Sequence, residues 1–176
     1  MSEQPPGFRA YVGLGGNLGD VVASFQDALA RLGAAPLSCV EGASRLYRTK
    51  PVDATGPDFL NAVVALQTSL GPRELLGVLQ GIERAHDRER PYRNAPRTLD
   101  LDLLWFGGVV LDRPDLTLPH PRMHERAFVL APLAELVGKL PAKPSNEGGN
   151  PVLPEASRIE AYSQNQGIER LNELKP

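Results

Sequence analysis

Short runs of apolar residues, bounded by polar turn residues, recur along the chain and are typical of strands. We predict strands over residues 8–14, residues 39–49 and Phe59–Thr68, and a fourth strand that carries Asp100 and ends at Phe106. Each stretch is rich in Val, Leu, Tyr or Phe, and turn residues separate it from the next. The pattern therefore predicts a sheet of four strands.

Helical spacing marks two other stretches. After Asp20, which can serve as an N-cap, apolar residues recur every three or four positions until Gly33, and a second apolar stripe runs through Pro72–His86. The order β-α-β-β-α-β predicts an α+β protein with the ferredoxin-like split β-α-β plait, an antiparallel sheet with both helices packed on one face. Residues 119–136 are expected to lead into extra C-terminal helical segments.

Length and composition fit one globular domain. The chain has 176 residues, of which 41% are hydrophobic and 23% charged. We expect the main region of this domain over residues 8–137 and an extension of the same domain over residues 138–176. The extension is rich in Pro, Gly and Asn at first and weakly helical afterwards, and the sequence does not reveal its role.

Charge and cysteine content argue against several classes of function. The net charge of −2 gives no overall attraction to nucleic acid or to an anionic membrane, and we expect neither partner. The single cysteine, Cys39, cannot form an internal disulfide and disfavours a cysteine-ligated metal. No apolar run approaches the ~18 residues of a membrane span. The polar N-terminus lacks the pattern of a secretory signal, so we expect a cytoplasmic protein.

Asp100 and Asp102 are the strongest chemical signal in the chain. They stand two residues apart in a strand, so their side chains share one face, while Leu99, Leu101 and Leu103 point to the other. Close carboxylates repel each other unless a cation lies between them, and Mg²⁺ binds one or two carboxylates together with substrate phosphates. The pattern predicts a magnesium site, with a simply solvated polar face as the alternative.

Arginines are concentrated on the segment that leads into this strand. Five of them fall within fourteen residues: Arg84, Arg88, Arg90, Arg93 and Arg97. Guanidinium groups match phosphate oxygens in pairs, so a basic loop beside a metal site is typical of a lid that closes over polyphosphate. The alternative is a solvated charged surface. Arg97 directly precedes the acidic strand and is the best single candidate for a phosphate contact.

Three further segments carry candidate ligand contacts. Residues 13–19 are rich in glycine but lack the lysine of a P-loop, so they form either a tight turn or a place where a ligand approaches the backbone. Phe59 and Asn61 share a strand face, where the ring could stack on a planar heterocycle and the amide could recognise its edge. The alternative for Asn61 is a core hydrogen bond. His120 and Arg126 are candidate phosphate contacts.

Taken together, these residues resemble the 6-hydroxymethyl-7,8-dihydropterin pyrophosphokinase family of the folate pathway. The resemblance covers residues 8–137, which it identifies as a pyrophosphokinase-like catalytic domain. Its most specific part runs from Arg97 to Asp102, within the matching segment from Asn94 to Asp102. The other matching segments follow in the family's order: Gly13-Leu14-Gly15-Gly16-Asn17-Leu18, Tyr47-Arg48-Thr49, Phe59-Leu60-Asn61-Ala62, Gln80-Gly81-Ile82-Glu83, Leu118-Pro119-His120 and Arg126-Ala127-Phe128.

The resemblance implies an ATP-dependent diphosphotransferase that moves pyrophosphate from ATP to the hydroxymethyl group of the pterin and releases AMP. It implies two magnesium ions on Asp100 and Asp102, with Arg88 and Arg97 as further catalytic residues. The implied ATP-binding residues are Gln80, Glu83, Arg88, Arg97, Leu103, His120 and Arg126. The implied pterin-binding residues are Thr49, Lys50, Pro51, Val52, Phe59, Asn61 and Phe128. ATP and the pterin are the expected partners, and we expect a monomer.

Two other functions fit the same fold class. A ferredoxin-like regulatory or RNA-binding module would need no metal, but RNA binding favours a basic sheet face with exposed aromatic rings, whereas this strand presents acids. A metal-dependent phosphohydrolase would use water instead of the pterin as acceptor. Formation of AMP rather than ADP, dependent on Mg²⁺ and the reduced pterin, distinguishes the pyrophosphokinase from both.

Overall fold

The computed structural model describes residues 7–51, 56–86, 98–144 and 147–175. Within these ranges the chain forms eight strands and four helices. In chain order they are β1 (Phe8–Gly16), α1 (Val21–Gly33), β2 (Ser38–Ala43), β3 (Arg45–Thr49), β4 (Phe59–Thr68), α2 (Pro72–His86), β5 (Asp100–Phe106), β6 (Leu111–Asp112), β7 (Thr117–Leu118), α3 (Ala127–Lys139), α4 (Ala156–Asn165) and β8 (Glu169–Glu173).

Six of these strands form one antiparallel sheet. The strands lie in the order β5-β1-β4-β3-β8, and β2 pairs with the part of β4 that β3 leaves free. β1 is central, because it pairs with β4 on one side and β5 on the other. β6 and β7 form a separate two-stranded ribbon. The expected α+β architecture with an antiparallel sheet is confirmed.

The two predicted helices pack together on one face of the sheet. α1 begins where the Asp20 carboxylate accepts a hydrogen bond from the Ala23 N–H at 3.0 Å, the N-cap that the sequence predicts. Its buried stripe joins that of α2 in the main core. The fully buried side chains of these helices are Phe25, Ala28, Leu32, Leu75 and Leu79. The prediction that both helices lie on one face is therefore confirmed.

α3 packs on the opposite face of the sheet. Its side chains Leu133 and Leu136 form a second core with Tyr11 of β1, Val63 of β4 and Leu104 of β5. α3 and its neighbour α4 are the extra C-terminal helical segments that the sequence predicts. Within the described residues, no helix is long and apolar enough to cross a bilayer.

The strand predicted over residues 39–49 is two strands, so this prediction is wrong in its continuity. The break falls at Ser44, between β2 and β3. The Ser44 N–H donates to the Val63 carbonyl at 2.8 Å, but the Val63 N–H donates to the Ser44 hydroxyl at 2.9 Å. A side chain thus replaces a backbone acceptor in the ladder, which lets the strand change direction.

The extension over residues 138–176 adds a strand that the sequence analysis did not predict. β8 pairs with β3 and forms one edge of the sheet. Its apolar residues Ile168, Leu171 and Leu174 recur every three positions, which is a helical spacing and hides the strand. The exposed charges Glu169 and Arg170 on this edge are typical of strands that must not pair with another chain.

A buried ion pair ties the start of the extension to the sheet. Arg9 is 2% exposed, and its Nε donates to a carboxylate oxygen of Glu41 at 2.6 Å. The Arg9 Nη1 also donates to the Pro141 carbonyl at 2.8 Å. A buried guanidinium needs such partners for its donors. The chain beyond α3 therefore takes part in satisfying a charge that lies on β1.

Candidate active site

A cavity of about 840 Å³ opens on the α3 face of the sheet, beside the N-terminal end of α3. Its floor comes from β5, β1 and β4, and its walls come from the end of β3, the segment that enters α3 and the end of α4. The charged and polar residues that line it are Thr49, Lys50, Asn61, Asp100, Asp102, Arg122, Arg126, Asn165 and Gln166. The cavity lies where α3 stops covering the sheet.

Two glycines of β1 form the middle of the floor. Gly15 lies opposite Asp100 on β5 and Asn61 on β4, and Gly13 lies opposite Asp102. Directly opposite residues share a face of an antiparallel pair. The backbone of Gly13 and Gly15, which carries no side chain, therefore lies between the two carboxylates and the Asn61 amide. A Cβ added to Gly15 would stand 3.4 Å from the Asn61 Oδ1. A ligand can therefore lie directly on this part of the sheet.

The acidic pair has the alternation that the sequence predicts. Asp100 is half-buried and Asp102 is exposed on the cavity side, while Leu99, Leu101 and Leu103 are buried in the core under α1 and α2. The same-face prediction is confirmed. Within the described ranges, no group of three or more His, Cys, Asp or Glu side chains could hold a metal ion. Two carboxylates suit Mg²⁺ that completes its shell with water and phosphate oxygens.

Three basic side chains stand near the acids. His120 is held beside β5, where its backbone N–H donates to the Leu104 carbonyl at 2.8 Å, although its side chain does not line the cavity. Burial lowers the pKa of His120, the charges of Arg126 and Arg122 lower it further, and Asp102 opposes them. Burial also lowers the pKa of the Arg126 guanidinium, with Arg122 adding to the effect. These positive groups repel one another, so a bound anion would stabilise their charged forms.

The other end of the cavity is aromatic, and Lys50 is its charged residue. Phe59 and Phe128 line it together with Asn61 and Thr49. Thr49 lies opposite Phe59 in the β3–β4 pair. The Asn61 Nδ2 donates to the Thr49 Oγ1 at 3.1 Å, so the amide makes a core hydrogen bond and also lines the cavity. The Arg126 Cζ lies 5.6 Å from the centre of the Phe128 ring, which links the two ends.

Some predicted site residues lie away from this cavity. Gln80 is exposed and Glu83 half-buried on α2, which packs on the opposite face of the sheet. The Leu103 side chain is buried in the core under the helices, so only its backbone is positioned for a ligand contact. Predicted residues outside the described ranges are Val52, Arg88 and Arg97, together with the neighbouring Arg90 and Arg93.

The structure adds lining residues that the sequence analysis missed. Arg122 lies four residues before Arg126, and this spacing of two arginines is the sequence pattern that could have identified Arg122. Leu104 joins the wall because strand alternation places it on the same face as Asp100 and Asp102, and a register shift in the β1–β5 pair brings Trp105 to that side as well. Asn165 and Gln166 come from the extension, where nothing in the sequence pattern marks them.

Comparison with known proteins assigns these elements to a family. The model of 7,8-dihydro-6-hydroxymethylpterin-pyrophosphokinase (HPPK) matches residues 11–138. The chain belongs to the HPPK family. The HPPK match contains the elements from α1 to β7, the last six residues of β1 and all but the last residue of α3, which together supply most of the cavity. It stops before α4 and β8.

Relatives of known name share close to half of the aligned residues. A 2-amino-4-hydroxy-6-hydroxymethyldihydropteridine pyrophosphokinase of Pseudomonas aeruginosa is 46% identical over 133 residues, which are 75% of this chain and 82% of that protein. The Synechocystis protein of the same name is 46% identical over 127 residues, covering 72% of this chain and 65% of its own length. The mitochondrial folate synthesis bifunctional protein of Arabidopsis thaliana is 47% identical over 128 residues, only 23% of its length.

Solved structures of HPPK-DHPS proteins share the fold. One, in complex with substrates, superposes with a TM-score of 0.64 at 12% identity over 94% of this chain and 46% of that chain. Another, from Plasmodium falciparum, has a TM-score of 0.59 at 16% identity over 93% of this chain and 46% of that chain. These superpositions cover a larger share of this chain than the family match does, so part of the extension also has its counterpart in those folds.

Proposed function

We propose that the chain transfers pyrophosphate from ATP to the hydroxymethyl group of 6-hydroxymethyl-7,8-dihydropterin, giving AMP and the pterin diphosphate, a step of folate biosynthesis. The observation that supports this most strongly is the two-ended cavity. Carboxylates and basic groups lie at one end, aromatic rings and an amide at the other, and bare strand backbone lies between them. Membership of the HPPK family supplies the reaction.

The aromatic end suits a flat heterocycle. Phe59 and Phe128 would stack on the two faces of the pterin, because aromatic rings attract planar π systems and exclude water. Asn61 would recognise the edge with its amide, since its bond to Thr49 already fixes the orientation of the group. Thr49 to Val52 would add backbone contacts, with Lys50 among the lining residues and Pro51 next to it. Such polar groups at the edge of an aromatic slot give a site its specificity.

The charged end suits a magnesium triphosphate. Asp100 and Asp102 would hold two magnesium ions together with phosphate oxygens, which matches a cavity that is lined by two carboxylates among the described residues. Bound Mg²⁺ supplies neutralisation of phosphate charge and acidification of an oxygen ligand. His120 and Arg126 would offset further charge on the β and γ phosphates. Arg88 and Arg97 complete the proposal as triphosphate-binding residues outside the described part of the chain.

The reaction depends on position more than on covalent chemistry. The hydroxymethyl oxygen attacks the β-phosphorus, the bond from that phosphorus to the oxygen bridging it to the α-phosphorus breaks, and AMP leaves. The chain's own residues align the two substrates and exclude water from the cavity. The nucleotide would also contact Glu83 and Gln80 on α2 and the backbone of Leu103. These three residues lie outside the cavity described above. No general base is assigned.

The chain would be organised as a single domain. Residues 8–137 would carry the catalysis, residues 138–176 would complete the same domain, and the chain would act as a monomer. A cytoplasmic location stays a prediction.

The decisive experiment follows all nucleotide products by chromatography after incubation of the chain with ATP, Mg²⁺ and the reduced pterin. AMP and the pterin diphosphate should form in equal amounts, and neither should form without the pterin or with EDTA. AMP formed without the pterin would instead indicate a phosphohydrolase, and ADP an ordinary kinase. Binding of neither substrate in calorimetry, with the chain folded, would overturn the proposal in favour of a non-catalytic module.

A further inference from the structure

The end of α4 reaches the candidate active site from outside the part of the chain that the HPPK family model matches. Ile159 anchors α4 as a buried residue, and β8 then joins the sheet beside β3. Asn165, the last residue of α4, and Gln166, which follows it, line the cavity. The turn that presents them belongs to the extension, for which the proposed reaction gives no role.

Gln166 makes two hydrogen bonds that bracket Arg126. Its Oε1 accepts from the Ala127 N–H at 3.0 Å, and its Nε2 donates to the Glu125 carbonyl at 3.2 Å. Exchange of the two amide atoms would set donor against donor and acceptor against acceptor, so the orientation of this side chain is determined by its partners. The amide thus holds the backbone on both sides of one residue.

This contact replaces a missing helix cap. Arg126 is the N-cap of α3, with φ −108° and ψ 111°, and its side chain makes no capping hydrogen bond. A guanidinium has no acceptor, so Arg126 cannot satisfy the free N–H groups of the first turn. Gln166 accepts from the first of these, at Ala127, from a distant part of the chain.

The turn that carries Gln166 is itself well determined. The Gln166 N–H donates to the Tyr162 carbonyl at 2.9 Å, and the Ile168 N–H donates to the Ser163 carbonyl at 3.0 Å. Gly167 between them has φ +64°, a conformation that favours glycine and ends α4 in the usual way. The amide is therefore presented from a fixed backbone rather than from a loose tail.

We infer that Gln166 is a positioning residue for both substrates, an inference that rests on the proposed function. The segment that it holds carries Arg126, proposed for the triphosphate, and Phe128, proposed for the pterin. These two side chains also contact each other, with 5.6 Å from guanidinium to ring centre. Fixing the backbone at residues 125–127 therefore sets one wall of both ends of the cavity.

The test compares KM and kcat in Gln166→Met, which keeps the length of the side chain and loses both hydrogen bonds. The KM values for ATP and for the pterin should each rise about three- to tenfold, the effect of one or two hydrogen bonds, with kcat within about twofold of the wild type. Gln164→Met, an exposed position on the same turn, should leave both KM values unchanged. Gln166→Glu keeps the acceptor for Ala127 alone and should give an intermediate KM for the pterin.

A merely structural role predicts a different pattern. Loss of folded enzyme lowers the measured kcat and leaves KM unchanged, so Gln166→Met with wild-type KM values overturns the inference, whatever its melting temperature. If Gln166→Met does not fold, the KM for the pterin in Gln166→Glu decides in the same way. A wild-type chain that forms no AMP would instead overturn the proposed function, and this inference with it.

Discussion

On one face of the sheet, α1 and α2 cover the strands with a continuous apolar core; on the other, α3 covers only the half that carries Tyr11, Val63 and Leu104. The uncovered half presents glycine backbone, an amide and two carboxylates. The strands are the same, and their alternation places Leu101 and Asp102 on opposite faces. The contrast teaches that the site arises from an incomplete cover rather than from a special strand.

The largest expected effect is a loss of turnover without a loss of stability. Asp102→Ala removes a carboxylate from the open face and should lower kcat by about two to three orders of magnitude, as loss of a key electrostatic group does. Because Asp102 is exposed, the urea midpoint should barely change. Steady-state kinetics and urea unfolding measure both, with the exposed Asp112→Ala as the matched control. Near-normal turnover in Asp102→Ala would reject the magnesium assignment.

On the face of the sheet that α1 and α2 cover, a core substitution should lower stability and leave substrate binding unchanged. Leu79 is fully buried on α2, and Leu79→Ala should cost about 2–5 kcal/mol of unfolding free energy through lost burial and a residual cavity. The KM values of the remaining folded enzyme should stay within about twofold of the wild type. Val110→Ala, at a position 78% exposed, is the control for stability. An increase in KM without loss of stability would contradict the division between the faces.

Adding one methyl group to the floor sharpens the comparison. Gly15 has no strained backbone angle, so Gly15→Ala should fold, but its Cβ would stand over the cavity at 3.4 Å from the Asn61 Oδ1. We expect the KM for the pterin to rise about tenfold, an effect of about 1.4 kcal/mol. Gly77→Ala on α2, where a Cβ meets nothing within 4 Å, should instead raise stability slightly without changing KM. Equal KM values for the two variants would refute a backbone floor.

The smallest expected effect concerns the attachment of α3 to the sheet. Burial raises the pKa of Glu135, but hydrogen bonds from Lys139, Tyr47 and the Arg45 N–H outweigh it and lower this pKa below its ordinary 4.5. A lowered folded-state pKa gives stability that is present above about pH 4.5 and is lost as pH falls through the folded-state value. Unfolding free energy should therefore fall more between pH 6 and 3 in the wild type than in Glu135→Gln, by about 1 kcal/mol.

Urea unfolding at several pH values measures this difference. Glu160→Gln, at an exposed position of α4, supplies the matched control and should follow the wild-type curve. Parallel curves for wild type and Glu135→Gln would show that the pair does not stabilise the fold.

The sequence predicted the elements that bury many apolar residues. α1 and α2 each pack a single face against the core, so helical apolar spacing marks them, whereas β4 and β5 bury side chains on both faces and are marked by their apolar runs. The break at Ser44 was not predictable in this way, because it depends on a hydrogen bond to Val63 on another strand. β8 was missed for a similar reason: as an edge strand it buries little, and pairing with β3 rather than propensity creates it.

For the site, local alternation was enough to orient the acids, and family resemblance was needed for the rest. Asp100 and Asp102 share a face because of strand geometry alone. The approach of Gln166 to Ala127 spans 39 residues along the chain, and no local pattern encodes it. Arg122 is an intermediate case. Its charge is evident from the sequence, but it lines the cavity because of the path that the chain takes before α3.

The backbone floor at Gly13 and Gly15 has a consequence for inhibitor resistance. A planar inhibitor that rests on this floor takes part of its affinity from peptide groups, which no point mutation can remove. Substitution at either glycine adds atoms, and these obstruct the natural ligand together with the inhibitor. Escape from such a compound should therefore arise in the walls, where side chains can be exchanged, and compounds with fewer wall contacts should retain potency for longer.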